Sequence, residues 1–171
     1  MNRLFLITVL TLIFSMTLMA QKRRQPVQTI VSEKEVVQSV YPDAEKVEKL
    51  NDYWYKILNS KNKTIGLAMS SMKFCTEVRG YCNTTPVLII TDTKMVIRKI
   101  ALLTHWETPG YVRRLENSGF FALWNNKTLK DAQKVVPDAY TGATMTAMAV
   151  SKNVSFLLEN GLKNKPKNIR G

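Results

Sequence analysis

Two polar turns, at residues 59–63 and 92–94, constrain this chain more than anything else in it. They separate runs rich in β-branched and aromatic residues at 53–58, 64–70, 87–91 and 95–103. Such runs read as strands. A turn of this length cannot carry the crossover that a parallel pair requires, so the joined strands must run antiparallel. Arg98 and Lys99 place the last run near an exposed edge.

Helical patterns bracket this meander. Ser32 and Glu35 match a capping box, in which the Ser oxygen and the Glu carboxylate satisfy amide groups reciprocally, so a helix is expected over 33–40. Tyr41-Pro42-Asp43 stops it, and 44–50 follows as a short second piece. Beyond Gly110, residues 111–117 read as a short helix ended by Ser118-Gly119. Residues 120–124 are a brief apolar segment, and 128–134 a polar stretch without a clear pattern. A helical period returns over 143–160. It places Met145, Met148, Ala149, Phe156 and Leu157 on one broad face, the methionines as core, with Gly161 as a C-terminal stop. Strands in series followed by helices imply an α+β fold, an antiparallel sheet with flanking helices.

The termini differ from the middle. A short basic start, Met1-Asn2-Arg3, precedes an uncharged apolar run over 4–20, and Gln21-Lys22-Arg23-Arg24 ends it. Residues 1–20 therefore read as a secretory signal peptide or an uncleaved membrane anchor. Leu18 and the charges after Ala20 count against clean cleavage. Residues 21–31 read as a linker, 32–162 as one domain and 163–171 as a basic tail. The expected location is outside the cytoplasm, in the periplasm or on the outer face of the membrane. Net charge is +12, which by itself suggests nucleic acid or a membrane surface. Eight basic residues lie in the two terminal segments, namely Arg3, Lys22, Arg23, Arg24, Lys163, Lys165, Lys167 and Arg170. The domain between them is only mildly basic and has no aromatic-interleaved basic run, so no nucleic-acid partner is expected.

Two cysteines, Cys75 and Cys82, would meet an oxidising compartment after export and are expected to pair; the alternative is two free buried thiols. Their spacing fits no metal or haem motif. His105 is the one histidine, which leaves no metal set and no nucleophile–base pair. A structural role for it outweighs a place near a ligand. No catalytic residue is assigned.

The chemistry concentrates in Asp138-Ala139-Tyr140-Thr141-Gly142-Ala143-Thr144-Met145-Thr146. Physically this is a helix start. Thr141 suits an N-cap, Gly142 permits unusual dihedrals and close backbone approach, and Ala143 is small. Thr144 falls in the first turn, where amide groups and the helix dipole favour an anion. A capped helix is common, but the whole pattern is not: Asp, two variable residues, Ser or Thr, Gly-Ala-Thr, then a gap and Ser or Thr. Chance would produce it about once in ten thousand chains of this length.

The pattern resembles the flavinylation motif of the FMN-binding domain family, which includes the C subunit of sodium-translocating NADH:quinone reductase and the G subunit of the Rnf complex. Asp138, Thr141, Gly142, Ala143, Thr144 and Thr146 meet every fixed position. Glu107-Thr108-Pro109-Gly110, after the strand at 95–103, resembles the family's second hallmark, whose loop borders the isoalloxazine ring. Gly80-Tyr81 is a looser match. Where the respiratory subunits usually continue with Leu-Gly, this chain has Tyr111-Val112, and Tyr111 is a candidate to stack on the ring.

The resemblance implies FMN held covalently, through a phosphodiester to Thr144. Thr141, Gly142, Ala143, Glu107, Thr108 and Asp138 complete the cofactor site. Asp138 either presents the motif or only forms the turn before the helix. A separate magnesium-dependent flavin transferase is the implied partner, together with a membrane-associated electron donor and acceptor. The expected function is electron transfer between redox partners rather than stand-alone catalysis. The alternative is a flavoenzyme that reduces a small molecule directly.

Overall fold

A computed structural model describes residues 26–137 and 142–167. Five strands, β1 (Ala44–Lys49), β2 (Trp54–Asn59), β3 (Thr64–Ser70), β4 (Val87–Thr91) and β5 (Ile97–Leu102), form one sheet in the order β1-β2-β3-β4-β5. Every neighbouring pair is antiparallel. The helices are α1 (Glu33–Gln38), α2 (Pro109–Asn117), α3 (Leu129–Ala132) and α4 (Thr144–Lys163), with a 3₁₀ turn at Phe120–Trp124. The architecture is α+β, as the run of strands and later helices implies.

Strand periodicity explains how the sheet is covered. Side chains alternate between faces, and all five residues of β4 are buried. Val87 and Ile89 enter a core with Trp54, Leu67 and Met69, roofed by Val150, Val154 and Leu157 of α4 and by Leu115, Phe120 and Trp124. Leu88 and Ile90 enter a second core with Ile57 and Ala68 under Val37 of α1. Each fully buried aliphatic side chain contributes roughly 1.5–3 kcal/mol, so β4 anchors both layers. Ser32 Oγ caps α1 by accepting from the Glu35 amide at 3.3 Å.

Several expectations change. Residues 44–50 do not form a second helical piece; Ala44–Lys49 is β1, paired with β2 from Ala44↔Asn59 to Lys49↔Tyr55. Pairing with an aromatic strand outweighs the weak β-propensity of Ala-Glu-Lys-Val-Glu-Lys. Its charges suit an edge that must not recruit another strand, and Glu48 is paired with Lys46 on its own strand and with Lys56 on β2. Residues 120–124 form the 3₁₀ turn, and a short helix lies inside 128–134, capped by Thr128 Oγ1 on the Asp131 amide. The part of the expected linker that is described is docked: Thr29 exchanges two backbone hydrogen bonds with His105, at 2.8 and 3.1 Å.

Gly161 is not a helix stop. It lies inside α4, is buried, and a Cβ there would collide with Met69 Sδ. Its absent side chain lets α4 settle on β2 and β3, and its carbonyl accepts from Trp54 Nε1 at 3.0 Å. Met145 and Met148, expected in the core, are 56% and 55% exposed, while Thr146, Ala147, Ala149 and Val150 face inward. Small residues form the contact face because α4 lies close to the sheet, and the methionines are rotated to its outer side. Among the described residues no helix is long and apolar enough to cross a membrane; residues 1–25 lie outside them.

Trp54→Phe removes the indole donor and some core volume together. It should lower unfolding free energy by about 1–3 kcal/mol, measured by urea denaturation. An unchanged midpoint would show that the Trp54–Gly161 bond contributes nothing.

Candidate functional site

The loop after β5 organises the site. His105 is buried and pinned by Thr29. Its Nδ1 accepts from the Glu107 amide at 3.1 Å, which requires an unprotonated Nδ1. Burial pushes the His105 pKa below its ordinary value, against the opposing pull of the Glu107 charge. His105 is thus a structural acceptor.

Glu107 is fully buried. Its carboxylate accepts from three consecutive amides, Tyr81 at 3.0 Å, Cys82 at 2.9 Å and Asn83 at 3.2 Å. The Thr146 hydroxyl of α4 donates a further, short hydrogen bond to it. One side chain therefore ties the 81–83 loop, its own loop and the first turn of α4 together. Gly80 is required beside it, since a Cβ there would lie 2.8 Å from both Glu107 Oε1 and Thr85 Cγ2. That contact accounts physically for the Gly80-Tyr81 match. Asn153 extends the buried polar layer, donating to the Thr85 carbonyl at 2.6 Å.

The described part of the motif, residues 142–146, is joined to Glu107 of the Glu-Thr-Pro-Gly loop through Thr146. Gly142, Ala143, Thr144, Met145 and Thr146 line a shallow cleft of about 230 Å³ with Tyr81 and Tyr111. The two tyrosine rings meet edge to face, centroids 5.2 Å apart. Thr108 is the N-cap residue of α2, without a side-chain cap bond, and its exposed hydroxyl lies 3.9 Å from Cys82 Sγ. Glu107 itself serves from beneath, as the connector, and is not among the cleft residues.

The start of α4 differs from the sequence expectation. The N-cap position belongs to Ala143, at φ −143° and ψ 21°, and it provides no side-chain cap bond. The expected cap, Thr141, lies outside the described residues, as does Asp138. Thr144 is the first helical residue and is exposed, while Thr146 is fully buried. At about 100° per residue, positions two apart point to nearly opposite sides of a helix. The bond of Thr146 to Glu107 thereby turns Thr144 outward.

Two features were missed from sequence. Gly142 has φ +82°, and a Cβ there would collide with Nη1 of Arg114. Arg114 stands three residues after Tyr111 in α2; that spacing, a shared helical face, was the available signal. Trp106, with 37% of its surface exposed, and Tyr81, with 56%, add large apolar side chains that remain in solvent. The expected disulfide is not formed: Cys75 and Cys82 are both free thiols. Cys75 is buried near Ser71, and burial pushes its pKa up, whereas Cys82 is held by Glu107 in the loop that faces Thr108.

These residues suit a flavin nucleotide. The first turn of α4 and a guanidinium at Gly142 suit a phosphoryl group, and the tyrosines suit an aromatic ring. Comparison with known proteins agrees. Residues 80–159 match the FMN-binding domain family. Over 127 residues the chain is 30% identical to the G subunit of the proton-translocating ferredoxin:NAD(+) oxidoreductase complex of Clostridium ljungdahlii. That match covers 68% of this chain and 65% of the relative, just under two thirds of its length.

Because burial depresses the His105 pKa, its contribution is complete above the unfolded value of about 6.5 and is lost as pH falls below it. Urea midpoints should decline from neutral pH toward pH 5, and His105→Asn, which keeps an acceptor near Nδ1 but cannot titrate, should flatten the decline. A curve of equal slope in the variant would exclude His105 as its source. Thr146→Val leaves a buried carboxylate short of one donor. It should cost about 1–3 kcal/mol in the same assay.

Proposed function

We propose that the chain is a member of the FMN-binding domain family, as its matches support, that it carries FMN covalently on Thr144, outside the cytoplasm, and that it passes electrons between membrane-associated redox partners. The observation that carries the attachment reading is the contrast between the two threonines of the motif. Thr144 is exposed on the first residue of α4, while Thr146 is buried and bound to Glu107. Only the first can be reached by a transferase without unfolding the helix. In the reaction implied by the family, the Thr144 hydroxyl oxygen bonds to the FMN phosphorus of FAD. The bridge between the two phosphates of FAD breaks, AMP leaves, and the magnesium belongs to the transferase.

Bound FMN supplies the one- and two-electron redox chemistry that no amino-acid side chain in this domain provides. The chain supplies position. Glu107 fixes the rotation of α4 and the height of the 81–83 loop, Gly142 lets the backbone turn closely before the helix, and the tyrosines border the cleft. A covalent link has a physical purpose outside the cytoplasm, where a dissociated FMN is lost by dilution.

Cleft shape favours a carrier over an enzyme acting on a small molecule. Such an enzyme needs a concave pocket with convergent polar groups at the reacting centre, in the range of roughly 300–1,000 Å³. The cleft at Thr144 is about 230 Å³, and the larger clefts of about 590 and 550 Å³ do not contain Thr144. A flavin in so shallow a place leaves an edge accessible to a second protein. The relative is named as a subunit of a ferredoxin:NAD(+) oxidoreductase complex, which is consistent with that role. The apolar run at 4–20 supports export.

Thr144→Val should abolish covalent flavin while altering stability by no more than about 0.5 kcal/mol. The check is intact-protein mass and in-gel flavin fluorescence after co-expression with an active flavin transferase. Thr146→Val should retain the flavin despite its lower stability. Loss of flavin in Thr146→Val with retention in Thr144→Val would move the attachment site and refute the reading.

A further inference from the structure

Helix α2 carries two residues that belong to neither hallmark motif, Tyr111 and Arg114. Three positions apart, they share one face of the helix, and that face meets the start of α4. Tyr111 lines the Thr144 cleft and packs edge to face on Tyr81. The guanidinium of Arg114 lies over Gly142, where a Cβ would meet its Nη1. Among the described residues no carboxylate pairs with Arg114, while six other ion pairs are formed. An exposed guanidinium held over the backbone two residues before Thr144, with no protein counter-charge among these residues, is placed to receive an anion there.

We propose that α2 is the second half of the flavin cradle. Arg114 donates to the phosphodiester on Thr144, and Tyr111 packs against the isoalloxazine ring. The inference rests on the Thr144 reading and extends it. The attachment motif fixes where the phosphate is joined, and α2 fixes how the group lies afterward. Gly142 is called for by its positive φ, and its missing side chain leaves the guanidinium close to the backbone. Arg suits this role better than Lys, since its planar fork can donate twice to one phosphate. Tyr111 stands where the respiratory subunits usually have Leu. A phenol in contact with an isoalloxazine ring quenches the flavin's fluorescence by transferring an electron to the excited ring, which makes the contact measurable without any partner protein.

The test uses the full chain produced with an active flavin transferase, as wild type, Arg114→Gln, Arg114→Lys and Tyr111→Leu. Phosphorus NMR should place the wild-type phosphodiester line away from that of the flavin peptide released by proteolysis. Arg114→Gln should move it toward the peptide position, and Arg114→Lys only part of the way. Flavin emission of wild type should rise severalfold on proteolysis, and Tyr111→Leu should recover most of that rise while still folded. An unmoved phosphorus line in Arg114→Gln, or unchanged emission in Tyr111→Leu, overturns the cradle but leaves the attachment intact. Wild type that gains no flavin from a transferase proven active on another protein overturns the Thr144 reading itself, and the cradle with it.

Discussion

The site depends on one buried carboxylate. Glu107 has no exposed surface and no cation beside it among the described residues, yet its oxygens receive three backbone amides and a hydroxyl. Taking a carboxylate out of water costs several kcal/mol, and only such a set of donors makes it tolerable. Because the donors come from the 81–83 loop and from α4, the carboxylate can be satisfied only when both are in place. The loop, the Glu-Thr-Pro-Gly turn and the helix start therefore order together. Gly80 follows from the same constraint, since no side chain fits between it and the carboxylate.

The rotation of α4 follows as well. With Thr146 turned to Glu107, the inward stripe contains Ala147, Ala149, Val150, Val154 and Leu157. These are mostly small or β-branched residues, so the helix approaches the sheet closely, and Gly161 completes that approach against Met69 and Trp54. The outward side then carries Thr144, Met145 and Met148. The exposed methionines are a consequence of where the hydroxyl points. They leave an apolar rim near a cleft also bordered by exposed tyrosine, a surface suited to transient contact between proteins.

Rigidity and access are combined in an economical way. Thr144, the proposed attachment position, is the first residue of a 20-residue helix fixed along its length by the core. A group joined there would inherit a rigid support while itself remaining at the surface. For electron transfer between proteins, that would set a redox centre at a defined depth without enclosing it.

Much of this was legible in the residues themselves. The short polar turns fixed an antiparallel meander, and β3 and β4 begin and end where the apolar runs do. The Asp-x-x-Thr-Gly-Ala-Thr string and Glu-Thr-Pro-Gly carry the resemblance to the FMN-binding domain family, whose model matches residues 80–159. What local pattern could not decide was set by partners distant in sequence. Residues 44–49 became a strand because β2 offers an unpaired edge, against their own propensity. Gly161 became a packing position because Met69 and Trp54 lie beneath it. Met145 and Met148 turned outward because Glu107, 39 residues before Thr146, takes that hydroxyl. Cys75 and Cys82, close in sequence, have different surroundings: one is buried, and the other's amide is tethered to Glu107. The sequence by itself determined strands β2 to β5 and the motif that carries the resemblance, since both depend on neighbours along the chain. Tertiary structure alone decided which threonine faces solvent and that Arg114 stands over Gly142, since a helix's rotation is set by what it packs against.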